Sequence, residues 1–428
     1  MGVYTDEYVV VRRGRNPGDP SEITINCPDK VGLGCDLARI VFEFGLSVTK
    51  GDMSTDGRWC FVALWVTPRS RPSTVRWSLL KQRLEDVCPS ALASILTPVS
   101  PPVPEAKRVL LLQVCSSDRT GLLHDVAQKL WEMELTIHKI KVSTSPDGRA
   151  VDLFFVTDNS LAFCGRNKQP WKKRAEEVTN QLKEFLGEPC SLCEISLAGS
   201  ECGGLTCFPL PATITKDIFY EDPATFEKGN TKSEKINSRS EHHANEVVVT
   251  VENSTSPVHS LVQLTCKSRK SLLYDCLRTV KDFSLKVAHG RIGMLENGNS
   301  EISLFVLGPS GQRITNVQDQ KSLAQCVEEE VGHPVRIKVG TRGPDTELLV
   351  ATPIEKCGRG RPRVLYDVTL ALKMLDICIF KADIGRHDYN EKRWEIYRFL
   401  LVDREEFSLT CARMRNLIVD QVRHILLG

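Results

Sequence analysis

The chain is predicted to be an α+β protein made of four copies of one unit, ordered strand, helix, strand, strand, helix, strand, and arranged as two pairs. Three observations predict it. A segment with Asp and Gly at fixed spacing occurs twice. A hairpin signal follows each occurrence at nearly constant distance. Two fainter versions of both lie in the C-terminal half.

The repeated segments are CPDKVGLGCDLARIVFEFG at 27–45 and CSSDRTGLLHDVAQKLWEME at 115–134. Each has a Cys at a strand end, then an Asp, a Gly three residues later, and a second Asp four beyond the Gly. That second Asp recurs as Asp36, Asp125, Asp275 and Asp367, at separations of 89, 150 and 92 residues. Repetition at this period marks an array of structural units. The spacings predict that copies one and two pair, and that copies three and four pair. The wide central gap holds an insertion longer than ordinary loops.

Short β-rich runs precede each motif: Glu22–Cys27, Val109–Cys115, Leu261–Cys266 and Glu347–Ala351. Helices follow, since Leu33, Leu37, Ile40, Val41 and Phe44, and later Leu122, Val126, Leu130 and Met133, recur at helical spacing. Gly45 suits a helix end. Hairpins come next. Leu46–Thr55 and Arg58–Val66 flank Asp56-Gly57, Leu135–Thr144 and Arg149–Val156 flank Asp147-Gly148, and Ser284–Gly293 and Ser300–Leu307 flank Asn297-Gly298. Asp-Gly and Asn-Gly favour the turns that match strand twist. Second helices are predicted at Thr74–Val87, Trp171–Leu186, Asp319–Val331 and Leu409–Leu427, and final strands at Ala91–Val99, Cys190–Leu197 and Val335–Thr341. This order is the ferredoxin-like split unit, an antiparallel sheet with both helices on one face. The domains are 20–100, 107–198, 258–342 and 346–428, with a flexible, mixed-polarity linker at 199–246. Copy four is degenerate and incomplete, because the chain ends after its second helix and leaves a sheet edge open. Glu7–Arg12 is a candidate to cover an edge.

Composition narrows the function. A formal charge of +2 with 26% charged residues gives no global footprint for nucleic acid. No apolar run is long enough to span a bilayer, and the start MGVYTDEYVVVRRG has no signal-peptide core. A cytoplasmic or nuclear protein is expected. Several of the 16 cysteines fall on core positions (Cys27, Cys60, Cys115, Cys266, Cys378), where Cys acts as a small apolar residue. Cys190 and Cys193 point to opposite faces of a strand, so no metal is expected there. No phosphate loop, dinucleotide fingerprint, nucleophile elbow or zinc-protease helix is present, so no catalysis is expected. His124 and His138 read as surface or seam residues. Arg359-Gly-Arg-Pro-Arg363 has the core of a minor-groove hook, but it falls where the fold needs a strand-to-helix loop. Gly340–Glu347 is turn-rich and expected to set how copies three and four dock.

The motif itself has binding chemistry. Gly32 and Gly121 permit backbone geometry that a side chain obstructs, and let another group approach. Free N–H groups at the helix start attract a carboxylate. Asp29 and Asp118 can accept a hydrogen bond from an ammonium group. A plainer reading stands beside this one: an Asp near a helix start is an ordinary cap, and Gly in a tight turn needs no ligand.

The repeat resembles the ACT domain, and four copies without an enzyme resemble the plant ACT-domain-repeat proteins, whose bacterial counterpart is the sensing tail of a nitrogen-regulating uridylyltransferase. The resemblance covers nearly the whole chain outside the linker. It implies a non-catalytic regulatory protein with no cofactor, binding a free amino acid such as glutamine at a seam between paired domains. The implied contacts are Asp29, Lys30, Val31, Gly32 and Leu33, with Asp118, Arg119, Thr120, Gly121 and Leu122. Copies three and four depart from the pattern, with Ser268 and Ser271, then Gly360 and Arg363, at the Asp and Gly positions. They are expected to be structural. Partners would be an amino acid, an unidentified protein, and a second chain through domain pairing, without nucleic acid or membrane. The alternative is a ligand-free scaffold for protein interaction.

Overall fold

The computed structural model describes residues 7–16, 18–68, 75–89, 108–160, 171–199, 210–219, 247–343, 345–402, 409 and 411–428. Copy one comprises β1 (Val9–Arg12), β2 (Ser21–Pro28), α1 (Leu33–Glu43), β3 (Leu46–Thr55), β4 (Trp59–Pro68) and α2 (Trp77–Val87). Copy two comprises β5 (Leu110–Ser117), α3 (Leu122–Glu132), β6 (Leu135–Thr144), β7 (Arg149–Asp158), α4 (Trp171–Leu186) and β8 (Cys190–Leu197). After α5 (Ala212–Phe219), copy three contains β9 (Val248–Glu252), β10 (Ser260–Lys267), α6 (Leu272–Asp282), β11 (Lys286–Met294), β12 (Asn299–Leu307) and α7 (Val317–Gly332). Copy four contains β13 (Arg336–Arg342), β14 (Asp345–Pro353), α8 (Val364–Met374), β15 (Ile379–Tyr389), β16 (Lys392–Leu401) and α9 (Ala412–Leu427).

The expected patterns place these elements. Along β2, Ile23, Ile25 and Cys27 are buried, alternating with partly exposed Glu22, Thr24 and Asn26, as one covered sheet face requires. Helix α1 buries Leu33, Leu37, Ile40 and Val41 on one stripe.

The chain forms two compact units, and their membership corrects the sequence-based pairing. One eight-stranded sheet runs β1-β2-β4-β3-β11-β12-β10-β9, joining copy one to copy three. The other runs β13-β14-β16-β15-β6-β7-β5-β8, joining copy four to copy two. Neighbours in sequence therefore do not pair. In the first unit β3 meets β11 antiparallel, with Met53 opposite Gly290 and Gly51 opposite Ile292. A Cβ on Gly290 would lie 2.7 Å from Met53 Cγ, and one on Gly51 would lie 3.0 Å from Ile292 Cδ1. Each strand thus gives up a side chain where the other projects one. In the second unit Ala382 stands opposite Val142 across β15 and β6. Helix α1 packs on α6 in the first unit, and α3 packs on α8 in the second.

The sheet edges correct a second expectation. The edge of copy four is not open: β13, assigned above to copy three, pairs with β14 from Arg336↔Ala351 to Arg342↔Asp345. Within the stretch expected to set the docking of copies three and four, Gly340–Arg342 instead pair with Asp345–Glu347 as strand residues of copy four, and Glu347 binds Arg342 at 3.3 Å and Arg398 at 2.9 Å. The edge of copy three is β9, with Val251 opposite Val262. Glu7–Arg12 does cover an edge, as β1 pairs with β2. The expected strand Ala91–Val99 lies outside the described residues. A strand reaching the first strand of a unit from either chain direction satisfies the same backbone groups, so hydropathy alone does not say which copy owns it.

The predicted linker also contains structure. Leu210, Ile214, Ile218 and Phe219 form an apolar face on and beside α5, packed against Leu349, Ala351, Trp394 and Ile396 of β14 and β16. The Phe219 ring lies 4.5 Å from Tyr389 and 4.9 Å from Trp394, and Asp217 pairs with Lys338 at 3.3 Å.

Candidate functional site

Both motif loops are clasped to their own hairpins. The Asp29 amide donates to the Arg58 carbonyl at 2.8 Å, and its carboxylate accepts from Thr55 Oγ1 at 2.7 Å. The Asp118 amide donates to the Gly148 carbonyl at 2.9 Å, and its carboxylate accepts from Thr144 Oγ1 at 2.9 Å. One oxygen of each acid is therefore committed to holding the loop in place.

Gly32 and Gly121 are left-handed, at φ 79° and 77°, and start α1 and α3 without a side-chain cap. Close approach adds a second requirement. A Cβ on Gly32 would lie 2.8 Å from Lys281 Cε, and one on Gly121 would lie 2.7 Å from Lys373 Cδ. These lysines come from the paired copy. Lys281 Nζ donates to Asp36 at 2.9 Å, and Lys373 Nζ donates to Asp125 at 2.6 Å. Lys30 and Arg119 reach the same acids at 3.5 and 2.6 Å. Burial opposes the charge on Asp125, but hydrogen bonds from Lys373 and Arg119 outweigh it and hold the carboxyl below its ordinary value.

Sequence reasoning used Asp36 and Asp125 only as rulers, and missed Lys281 and Lys373. A signal existed: each lysine lies six residues after the repeated Asp of its copy, where copies one and two carry Phe42 and Trp131. Those rings pack in the opposite direction across each seam, Phe42 at 6.0 Å from the Tyr274 ring and Trp131 at 5.9 Å from the Arg363 guanidinium. Each pair is therefore complementary rather than symmetric.

The two seams differ in volume. In the first unit a cavity of about 420 Å³ is lined by Asp29, Lys30, Val31, Gly32 and Leu33, by Gly34, Cys35, Thr55, Asp56 and Cys60, and by Leu277, Lys281 and Lys286 of copy three. In the second unit the cavity at the matching place is about 20 Å³, lined by Asp118, Arg119, Gly121 and Leu122 with Leu123, His124, Asp152 and Lys373. That is room for about one water. Thr120 is not on its wall; its hydroxyl contacts Cys378 Sγ at 3.2 Å. Side-chain size explains the difference. Leu123 and His124 stand where copy one has Gly34 and Cys35, in each case immediately before the repeated Asp.

His124 is a seam residue. Its Nδ1 lies 3.3 Å from Thr369 Oγ1, and burial, then the Lys373 charge, push its pKa down. Asp152 is buried with Oδ1 unpartnered, and burial together with the Asp118 charge pushes its carboxyl up to about 7. His138 meets Thr157 Oγ1 at 2.8 Å. The arginines of the hook-like segment are engaged inside copy four. Arg359 binds Glu355 at 2.7 Å, Arg361 is buried, and Arg363 binds Asp367 at 3.4 Å. Among the described residues no group of three His, Cys, Asp or Glu is placed to hold a metal, and no helix is long and apolar enough to cross a membrane.

Three family models match: "ACT domain-containing protein ACR10, N-terminal" at residues 11–89, "ACR9-like, ACT-like domain" at 248–345, and "ACT domain-containing protein ACR9, C-terminal" at 346–428. The chain is 43% identical to ACT domain-containing protein ACR9 of Arabidopsis thaliana over 429 residues, covering 100% of both. It is 39% identical to ACT domain-containing protein ACR10 of Arabidopsis thaliana, again over 100% of both, and 23% identical to ACT domain-containing protein ACR8 over 82% of this chain and 76% of that one.

Proposed function

Because the chain belongs to the plant family of ACT-domain-repeat regulatory proteins, we propose that it is non-catalytic and binds one free amino acid per chain, at the seam between copies one and three. The observation that carries this reading is the cavity of about 420 Å³, whose wall includes all five residues expected from copy one. Its size lies in the range of small-molecule sites. The start of α1, with Gly34 and Cys35 on the wall, suits a carboxylate, and Lys281 and Lys286 reinforce that charge preference. Asp29 and Asp56 offer acceptors for an ammonium group. A side-chain amide, as in glutamine, is the expected third group, which makes nitrogen status the expected signal. Affinity near 1 mM corresponds to about −4 kcal/mol, within reach of a few charge-assisted hydrogen bonds.

The second unit is assigned a different role. The filled seam around His124 and Asp152 favours a scaffold there, which supports the protein-interaction reading for copies two and four.

The test is a thermal-shift and calorimetric screen of the full chain against the twenty amino acids, repeated on Gly34→Leu, which installs the copy-two residue. A Cβ at Gly34 meets Leu277 Cδ1 and Met53 Sδ at 3.6 and 3.7 Å, ordinary contacts, and its backbone is helical. The variant should therefore fold, fill the cavity and lose the amino-acid response. Retention of the response would contradict the site. Substitution of Gly32 is a poorer test, since its positive φ and the Lys281 stem beside it would destabilise the unit as well as alter the site.

A further inference from the structure

Copies one and four hold the same place in their sheets. Copy one runs β1-β2-β4-β3 and copy four runs β13-β14-β16-β15. Pro28 faces Trp59 across the first ladder as Pro353 faces Trp394 across the second. The register then sets Phe61 where copy four has Ile396, and Asn26 where it has Ala351. In copy four this sheet face is covered: Trp394 and Ile396 are 5% and 0% exposed and pack with Leu210 and Ile218, on and beside α5. In copy one the matching Trp59 and Phe61 are 38% and 44% exposed. Trp65 continues the row along β4, half-buried, with Lys50 Nζ 4.7 Å from its ring.

We propose that this face of copy one docks an amphipathic helix of a partner protein, laid over β2 and β4 as α5 is laid over β14 and β16.

The chain itself supplies the template for the occupant. Leu210, Ile214 and Ile218 recur every four residues, Phe219 adds a ring 4.9 Å from Trp394, and Asp217 pairs with Lys338 at the rim. Apolar anchors at such spacing are how a helix is read by an apolar surface. Aromatic side chains carry much of the energy of such contacts once water is excluded from them. The differences between the two faces define the partner. Asn26 and Thr24 stand where copy four has Ala351 and Leu349, so a polar side chain of the helix belongs over β2. Lys50 beside Trp65 calls for an acidic one at the opposite rim. The face is poorly suited to a nucleic-acid strand. Arg12 binds Glu22 and Arg291 binds Asp52, each at 3.3 Å, so these charges cancel in pairs and leave no basic track for phosphates. The Trp59 indole N–H is already given to Asn26 Oδ1. Cys60 and Val62, which alternate with the exposed rings, line the seam cavity. The partner would thus lie across one strand from the candidate ligand, but its docking does not depend on that ligand.

The test pans a phage-displayed library of amphipathic helical peptides on the full-length protein, with no amino acid added. Enriched peptides are synthesised and titrated by fluorescence anisotropy against the parent chain, Trp59→Ala and Phe61→Ala. The expected result is a set of peptides with apolar residues four apart, one bound per chain, whose affinity falls about tenfold or more in either variant. Phe185→Ala, which removes an exposed ring of copy two, should leave the affinity unchanged. Circular dichroism and the thermal midpoint confirm that each variant is folded. Four results would overturn the proposal: no enriched peptide, peptides whose binding ignores Trp59 and Phe61, a labelled oligouridine bound through those residues in preference to any peptide, or a dimer of the chain that Trp59→Ala dissociates in the absence of peptide binding.

Discussion

At Gly32 and Gly121 the backbone is left-handed, and the same conformation persists where copies three and four have Ser271 (φ 58°) and Arg363 (φ 65°). A non-glycine residue there costs about 1–2 kcal/mol. Copy four offsets it by pairing Arg363 with Asp367 and seating the guanidinium 4.4 Å from the Tyr366 ring. The turn is thus a property of the fold, and what distinguishes copies one and two is the bare surface on which a lysine stem lies. Asp152 offers a test of the closed seam. Its carboxyl stays protonated in the fold to about pH 7, whereas in the unfolded chain it ionises near pH 4. Across that window the unfolded state binds fewer protons, so this group's contribution to stability is full below about pH 4 and is lost as pH rises through about 7. Asp152→Asn should therefore raise the thermal midpoint at pH 8 by several degrees, with little change at pH 4. Equal shifts at both pH values would show that the acid is not held neutral.

At the scale of elements, strands β3 and β6 were legible to the residue, because hairpin glycines and alternating burial fix both ends. Ownership of β13 was not legible, since an edge strand carries the same alternation whichever neighbour it joins. Helix α5 was hidden by its surroundings. Leu210, Ile214 and Ile218 recur at helical spacing, but Pro209 and Pro211 and a polar flank read as loop. Its docking rests mainly on Phe219, whose ring stacks on Tyr389 and meets Trp394. Phe219→Ala should remove on the order of 3 kcal/mol of packing. Limited proteolysis should then cut within 210–219 much faster than in the parent chain, with no change in β14–β16. An unchanged cutting rate would show that the segment is held by something else.

For the whole molecule, the candidate site was half legible. The loop residues were readable as a repeat, and all five from copy one lie on one cavity wall. The opposite wall was not readable, because it comes from copy three, and Lys281 lies 249 residues beyond Gly32 in the chain. Interleaving has a functional reason in this account. Each loop-bearing copy is joined to a copy that has lost the loop's Asp and Gly and supplies the lysine instead, so one chain builds an asymmetric seam that two identical copies would not. One such seam is open and the other is filled by Leu123, His124 and Asp152. The most direct measurement is the stoichiometry of amino-acid binding by titration calorimetry of the full chain. One amino acid per chain is expected, abolished by Gly34→Leu. Two per chain, or none in a folded sample, would contradict it.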